Sequence, residues 1–185
     1  GPLLITHWGF SGPAVLKLSA WGALELNDRA YHFPIMINWI EDKTYEEVYQ
    51  IVNEERQVSP RKRVYTNTLF NLPLRLWKTL MEGAGIPEKA TWSDLSAAKA
   101  KNIAEELTMS IFQVNGKSTF KEEFVTAGGV DLLDIDFKRF ESRKTPGLFI
   151  AGEALNIDAV TGGFNFQAAW TGGWLAGNAM AGYEV

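Results

Sequence analysis

Two glycine-containing segments near the end of the chain combine residue types and spacing that suit contact with a ligand. The first is Gly152-Glu153, which follows the apolar run at residues 148–151. A glycine at the carboxyl end of a strand lets a ligand approach the backbone closely, and open α/β sheets bind ligands at that end. The carboxylate of the next residue can accept hydrogen bonds from sugar or ribityl hydroxyl groups.

The second segment is Thr161-Gly162-Gly163, directly before a final helix predicted at about residues 165–181. Free N–H groups at a helix start, beside two glycines, suit an anionic or electron-rich group. Taken alone, each segment is more often an ordinary turn or strand end than a binding site. Their order and spacing together make this corner a candidate contact for a nucleotide or a flavin.

The elements that must position these segments follow from hydrophobic periodicity and from turn residues. The run at 148–151 is predicted to be a strand buried on both faces of a parallel sheet, because it is apolar throughout. The last helix is rich in glycine and alanine, which indicates close packing against a neighbouring element. Further strands are predicted at residues 3–6, 31–40 and 109–114, and helices at residues 14–21, 44–57, 74–82 and 93–107.

Capping residues mark where three of these helices begin. Ser11 is predicted to cap the first helix, and Ser93 to cap the helix that ends near Leu107. Thr44 and Glu47 have the spacing of a capping box, in which each side chain binds the backbone N–H group of the other residue. The chain changes character near residues 120–124, where a domain boundary is predicted.

Composition narrows the kinds of site that this chain can hold. The 185 residues include no cysteine, which excludes disulfides, thiolate-bound zinc and iron–sulfur clusters. Two histidines are too few for a His-rich metal site, and no metal is expected. A net charge of −4 argues against sequence-independent nucleic-acid binding and against docking on anionic lipid. No apolar run approaches the roughly 20 residues that span a bilayer, and no signal segment opens the chain, so a soluble, cytoplasmic protein is expected.

Two other features are assigned to structure rather than to chemistry. His7 lies among aromatic residues and could reach a substrate, but a structural histidine is favoured. The basic run Arg61-Lys62-Arg63 could hold phosphate or nucleic acid, but with an acidic net charge a solvated surface loop is favoured.

Five separated motifs follow one another along essentially the whole chain. They are Gly1-Pro2-Leu3-Leu4-Ile5-Thr6-His7-Trp8-Gly9-Phe10-Ser11-Gly12-Pro13-Ala14, Val125-Thr126-Ala127-Gly128-Gly129-Val130, Glu141-Ser142-Arg143 with Pro146-Gly147-Leu148, Ala151-Gly152-Glu153, and Thr161-Gly162-Gly163-Phe164-Asn165 with Gln167. Together these motifs resemble those of the bacterial flavoproteins called YhiN-like, BaiN-like or aminoacetone-oxidase-like.

The resemblance implies a longer protein whose two-part, Rossmann-like FAD-binding domain is interrupted by an inserted domain. On that map, residues 1–122 are an inserted α+β domain with a β-barrel-like part and helices. Residues 123–185 are the C-terminal strand–loop–helix segment of the FAD-binding domain. The dinucleotide fingerprint Gly-x-Gly-x-x-Gly has no copy here and would lie in a missing N-terminal half. Because the chain also opens without methionine, we expect it to be a fragment or a processed product.

The resemblance also implies which residues contact FAD. Gly152 and Glu153 would face its ribityl and pyrophosphate region, and residues 162–165 would lie beside the isoalloxazine ring. The helix start there would stabilise negative charge on the reduced flavin. Residues 126–129 would cross into the FAD domain near the cofactor. The cofactor-binding residues expected in this way are Gly152, Glu153, Ala154, Thr161, Gly162, Gly163, Phe164, Asn165 and Gln167.

Three positions depart from the family pattern. Asn156 stands where an acidic residue is expected, Ala159 where glycine is expected, and Phe164 where tyrosine is usual. These changes leave contacts from the backbone intact, but they put an acid or base role for this loop in doubt. No catalytic residue is predicted.

The expected function is that of an FAD-dependent oxidoreductase, linked to NAD(P)H and acting on a small organic substrate. This chain would supply the loop and helix start on the flavin side. Alone it is expected to bind FAD weakly or not at all and to be inactive. The alternative is a binding or interaction module that keeps the fold without catalysis. Half of a parallel sheet has open strand edges, so self-association of the chain is also predicted.

Overall fold

The structure is a computed structural model that describes residues 1–118 and 125–182. It divides into two compact units. The first, called the split unit, comprises Gly1–His32 and Asn115–Val185, and the second, called the helical unit, is Phe33–Val114. The predicted domain boundary between residues 122 and 123 lies outside the described residues, so it stays a prediction.

The split unit begins with two short strands, β1 (Leu4–Ile5) and β2 (Phe10–Ser11), which pair antiparallel. Helices α1 (Pro13–Trp21) and α2 (Ala23–Asp28) follow, and neither has a buried residue. The prediction that Ser11 caps α1 was wrong, because Ser11 pairs with Leu4 inside β2. Gly12 is the N-cap instead, at a φ of 91° that glycine adopts without strain.

The helical unit holds three longer helices and a small sheet. Strand β3 (His32–Ile37) leads into it and pairs with β4 (Ser110–Asn115). The helices are α3 (Tyr45–Val58), α4 (Leu74–Gly83) and α5 (Ala97–Thr108), with a 3-10 turn at Trp92–Asp94 before α5.

A well-buried core holds the helical unit together. Val48 and Val52 of α3 pack with Ile103 of α5, and all three are fully buried. The rings of Trp77 and Trp92 lie 6.4 Å apart and are also inaccessible. Burial of a side chain of this size contributes on the order of 2 kcal/mol, so these residues stabilise the helical unit.

The capping box that opens α3 is confirmed. Glu47 N donates to Thr44 Oγ1 at 3.3 Å, and Thr44 N donates to Glu47 Oε2 at 2.8 Å. The predicted cap at Ser93 was wrong, because Ser93 lies inside the 3-10 turn, where its hydroxyl bonds to that of Thr91 at 3.0 Å. Helix α5 starts three residues later, capped by Ser96.

The second half of the split unit is a hairpin followed by the last helix. Strands β5 (Ile135–Asp136) and β6 (Glu141–Ser142) pair antiparallel, and α6 spans Phe164–Met180. Residues 148–151, predicted to be a parallel strand buried on both faces, make only an isolated antiparallel bridge from Phe149 to Glu141. That prediction was wrong because the segment runs alongside the returning hairpin, and Leu148 is 45% exposed.

The α+β character agrees with the prediction. Within residues 1–118 and 125–182 the strands form three separate two-stranded sheets, and the β-barrel-like part stays an expectation. No helix in this part of the chain combines the length and the hydrophobicity needed to cross a lipid bilayer.

Helix α6 approaches the hairpin closely at Gly172. A Cβ atom on Gly172 would lie 2.6 Å from Phe140 Cε1 and 3.2 Å from the Cβ of Ala151. The close packing predicted from the small residues of α6 is therefore confirmed at this position. Gly173 faces open space, since its Cβ would meet no atom within 4 Å.

These two adjacent glycines provide a matched test of the packing. Gly172→Ala is expected to lower the free energy of unfolding by about 1–3 kcal/mol, because the methyl group overlaps the ring of Phe140. Gly173→Ala is expected to raise it by about 0.5–1 kcal/mol, because alanine favours a helix. Urea denaturation of both variants measures the difference, and equal effects would show that α6 does not approach the hairpin this closely.

Candidate functional site

The residues expected to bind a cofactor lie in three consecutive parts of the split unit. Gly152–Ala154 form a 3-10 turn, residues 155–163 form a loop, and α6 begins at Phe164. Gly152 has a φ of 73°, and a Cβ on it would lie 3.6 Å from the Cβ of Ala169. The turn therefore lies against the second turn of α6, and the structure brings the two predicted segments together.

The turn is held by the segment around Val130. Val130 N donates to Ala154 O at 2.9 Å, and Asn156 N donates to Val130 O at 3.0 Å. The preceding Gly129 has a φ of 132°, and its Cβ would lie only 2.6 Å from the carbonyl carbon of Leu155. Gly129, the last residue of the predicted crossover at 126–129, thus lies directly beside the turn, and the contact of the crossover with a cofactor stays a prediction.

The loop is fastened to α6 by Asn165. Its Oδ1 accepts a hydrogen bond from Ala159 N at 2.8 Å, and its Nδ2 donates to Ala159 O at 2.9 Å. One side-chain amide therefore satisfies both backbone groups of a loop residue. Alanine at 159 makes these contacts through its backbone, so the departure from glycine does not disturb the loop.

The start of α6 carries no side-chain cap. Its N-cap is Gly163, in the left-handed conformation at a φ of 89°. A Cβ there would meet no atom within 4 Å, so the space beside it is open. The first-turn N–H groups of an α-helix have no partner within the helix, and the helix dipole adds partial positive charge to them. This end of α6 can bind an anionic or electron-rich group.

The side chains around this helix start differ in what they can offer a ligand. Glu153 and Thr161 are exposed, and neither side chain has a hydrogen-bond partner among the described residues. Phe164 is 59% exposed. Gln167 instead donates from Nε2 to Thr171 Oγ1 at 3.0 Å, along the helix surface. Glu153, Thr161 and Phe164 are therefore available to a ligand, whereas Gln167 is engaged by α6 itself.

The motif at residues 141–148 builds the hairpin under the site. Glu141 accepts hydrogen bonds from Gly147 N at 2.8 Å and from Arg139 Nε at 3.1 Å. The bond from the Gly147 backbone, followed by that from Arg139, holds the pKa of Glu141 below its ordinary value. Ile150 N donates to Phe140 O at 2.9 Å, so the hairpin supports the segment that enters the Gly152 turn.

Helix α6 also exposes an aromatic face that was not predicted from the sequence. Phe166, Trp170 and Trp174 are 68%, 70% and 61% exposed. Their spacing of four residues places them on one face of the helix, and this signal is visible in the sequence. The rings of Phe166 and Trp170 stack with centroids 6.0 Å apart. Exposed apolar faces of this kind are typical of interaction surfaces.

Two protein-family profiles match this chain. One, described as the HI0933-like protein barrel and H2TH domain, matches residues 1–125. The other, described as the HI0933-like protein Rossmann domain, matches residues 80–179, which include the candidate site. The family expected from the five sequence motifs is thereby confirmed.

Three curated relatives are similar over nearly the whole chain. A ribosomal RNA dihydrouridine synthase of Escherichia coli (strain K12) is 33% identical over 173 residues, which are 93% of this chain and 40% of that protein. A protein of the same name from Haemophilus influenzae is 33% identical over 170 residues, 91% of this chain and 39% of that protein. A 3-dehydro-bile acid delta(4,6)-reductase of Clostridium scindens is 26% identical over 181 residues, 98% of this chain and 44% of that protein. The chain thus spans about two fifths of the length of these relatives.

The amide of Asn165 can be tested against that of Gln167, which lies two residues further along the same helix. Asn165→Ala is expected to lower the free energy of unfolding by about 1–3 kcal/mol, because it removes both bonds to Ala159. Gln167→Ala is expected to change it by less than about 0.5 kcal/mol, because its side chain is exposed. Urea denaturation compares the two variants, and limited proteolysis within residues 155–163 reports whether the loop has detached. An equal loss of unfolding free energy in both variants would contradict the role of Asn165 in holding the loop to α6.

Proposed function

Because the chain belongs to the HI0933-like protein family, the YhiN/BaiN-like flavoproteins, we propose that the complete gene product is an FAD-dependent reductase. This chain supplies the Gly152 turn and the start of α6 on the flavin side. The Rossmann-domain match over residues 80–179 supports this proposal. The remaining parts of the FAD site and of the barrel-like domain would come from the rest of the longer protein, whose relatives are more than twice the length of this chain.

The observation that carries the proposal is the uncapped start of α6. Gly163 leaves both the N–H groups and the space beside them open, so a planar, electron-rich group can approach. Glu153 offers a carboxylate to hydroxyl groups such as those of a ribityl chain, and Phe164 offers an exposed ring to an apolar surface. These groups fit a flavin, which combines a ribityl chain with an aromatic ring whose reduced form is negatively charged.

The chemistry that FAD supplies when it is bound is transfer of a hydride from NADH or NADPH to the substrate. The role of this chain is to bind FAD and to orient it. The first-turn N–H groups of α6 would stabilise negative charge at the near edge of the ring. Asn165 would keep the loop at residues 155–163 from covering those groups, because it holds Ala159. A hydride transfer of this kind also needs a proton, and none of the site residues named above is assigned to deliver it.

The names of the relatives point to one type of substrate bond. Dihydrouridine differs from uridine by two hydrogen atoms across a carbon–carbon double bond that is conjugated with a carbonyl group. A 3-dehydro-delta(4,6) bile acid also has carbon–carbon double bonds conjugated with a carbonyl group. We favour a uridine in ribosomal RNA, because two relatives at 33% identity bear that name and the bile-acid enzyme is 26% identical. Such a substrate is present in the cytoplasm, which agrees with the location expected from the sequence.

The aromatic face of α6 is proposed to contact the rest of the Rossmann domain. Phe166, Trp170 and Trp174 expose large apolar surfaces, and the relatives have more than half of their length outside the matched region. Burial of these rings would contribute about 25 cal/mol per Å² of apolar surface. When this chain is produced alone, the same face would instead drive self-association.

The first test is a titration with FAD, followed by visible absorbance and flavin fluorescence. The complete gene product is expected to bind FAD, and this chain alone to bind it weakly. Gly163→Asn in the complete protein is expected to weaken binding by about 10- to 100-fold, because its side chain would fill the open space beside the N–H groups that FAD needs. Asparagine tolerates the left-handed conformation better than most residues, so the variant is expected to fold. Gly173→Ala is the control in the same helix, and equal affinities of the two variants would contradict a flavin contact at the helix start.

The second test concerns the substrate. The FAD-loaded complete protein, given NADH or NADPH, is expected to convert a uridine to dihydrouridine in deproteinised ribosomal RNA from cells that lack the gene. Nuclease digestion and mass spectrometry detect the gain of two hydrogen atoms. A conjugated steroid ketone is the comparison substrate. Reduction of the steroid without reduction of the RNA would replace the RNA proposal by one for a small unsaturated ketone.

A further inference from the structure

Two loops of the helical unit and the helix α4 beside them carry six exposed cationic side chains. Two loops lie side by side there, because Val64 N donates to Ala90 O at 3.0 Å and Trp92 N donates to Lys62 O at 3.1 Å. Arg63 forms an antiparallel bridge with Thr91 across the same pair of loops. The surface, called the basic surface below, is defined by Arg61, Lys62, Arg63, Arg75, Lys78 and Lys89, all of which are exposed.

Helix α4 extends the basic surface next to these loops. The hydroxyl group of Tyr65 donates to Ile86 O at 3.0 Å, which joins the two loops a second time. Beside Tyr65 an open groove of about 420 Å³ runs along α4. Its lining residues are Tyr65, Arg75, Lys78, Thr79, Glu82 and Glu88.

The six cations are not neutralised by carboxylates. None of them forms an ion pair within 4 Å with a carboxylate of the described residues. Asp94 is close in sequence, but it is engaged by Thr91 through bonds of 2.8 Å and 2.6 Å. Six cations set against Asp94, Glu82 and Glu88 leave three positive charges, on a chain whose net charge is −4. The positive charge is therefore concentrated here, and the net charge of the chain does not describe this surface.

We propose that the basic surface binds the phosphate backbone of the RNA substrate. This inference rests on the proposed function, which names ribosomal RNA as the substrate. Exposed arginine and lysine side chains without carboxylate partners are the groups that contact phosphates in protein–nucleic acid complexes. Arginine adds a planar fork of donors that can grip a phosphate with two hydrogen bonds.

The proposal assigns affinity and sequence recognition to different parts of the protein. Phosphate contacts fix the position of a nucleic acid but do not read its sequence. The basic surface would raise the affinity for RNA and would leave the choice of uridine to the flavin site. Loss of the surface would therefore raise KM for RNA and leave kcat unchanged.

The test uses charge reversal at two arginines of the basic surface. In the FAD-loaded complete protein, Arg61→Glu with Arg63→Glu is compared with Lys101→Glu and Lys138→Glu. All four side chains are exposed and make no hydrogen bond among the described residues, so neither double variant is expected to unfold. Both pairs change the net charge by the same amount. Filter binding with radiolabelled, in vitro transcribed ribosomal RNA measures Kd over a range of salt concentrations.

The arginine pair is expected to weaken RNA binding by at least about tenfold and to lower the slope of log Kd against log salt by about two. The lysine pair is expected to change Kd by less than about twofold. FAD absorbance and dye reduction by NADH or NADPH should be unchanged in both variants, because no flavin contact is altered. KM for RNA should rise only in the arginine variant.

Four outcomes would overturn the proposal, and they are distinguishable. If the unsubstituted protein reduces ribosomal RNA and the arginine variant does so with the same KM, only the basic surface is excluded. Equal weakening by both pairs would show a general charge effect. If the unsubstituted protein binds phosphatidylserine vesicles but not RNA, the surface serves a membrane. If it neither binds nor reduces RNA, the proposed substrate fails, and the assignment of the basic surface fails with it.

Discussion

The candidate site depends on the direct contact between two backbone segments, one at Gly129 and the other at Leu155. Only a residue without a Cβ fits there, since a Cβ would lie 2.6 Å from the carbonyl carbon of Leu155. The contact lets Val130 N reach Ala154 O and lets Asn156 N reach Val130 O. These two bonds fix the Gly152 turn, and that turn lies against α6. A small change in this contact would displace the turn from the helix start.

The start of α6 is left open because the neighbouring side chains are used elsewhere. Asn165 could satisfy backbone donors of its own helix, but it binds both backbone groups of Ala159 instead. Gly163, the N-cap, has no side chain to offer. The unpaired N–H groups cost free energy unless water or a ligand binds them. A helix start of this kind is less stable alone and better prepared for an electron-rich ligand, which is a usual compromise at binding sites.

Features that depend on neighbouring residues could be predicted from the sequence, whereas contacts between distant segments could not. The capping box of Thr44 and Glu47 is local, so its spacing sufficed to predict it. Ser93 and Ser96 are both good caps, and the choice between them depends on the 3-10 turn that Thr91 and Asp94 form. The sequence of the apolar run at 148–151 does not show which segment it pairs with, and in the structure it pairs antiparallel with the hairpin. The sequence points to the glycines of the candidate site, whose contact with a cofactor stays a prediction, whereas the bonds of Asn165 depend on a loop path that the sequence does not specify.

The two units differ in how much of their apolar surface they bury within themselves. The helical unit buries residues such as Val48, Trp77 and Ile103 completely, so it has a core of its own. In the split unit, α1 and α2 have no fully buried residue, and the aromatic face of α6 is exposed. Small domains depend on apolar burial for most of their stability, so the split unit gains more from a partner than the helical unit does. The proposed flavin contacts lie in the split unit. A partner that covers α6 would therefore stabilise the fold and complete the site at the same time.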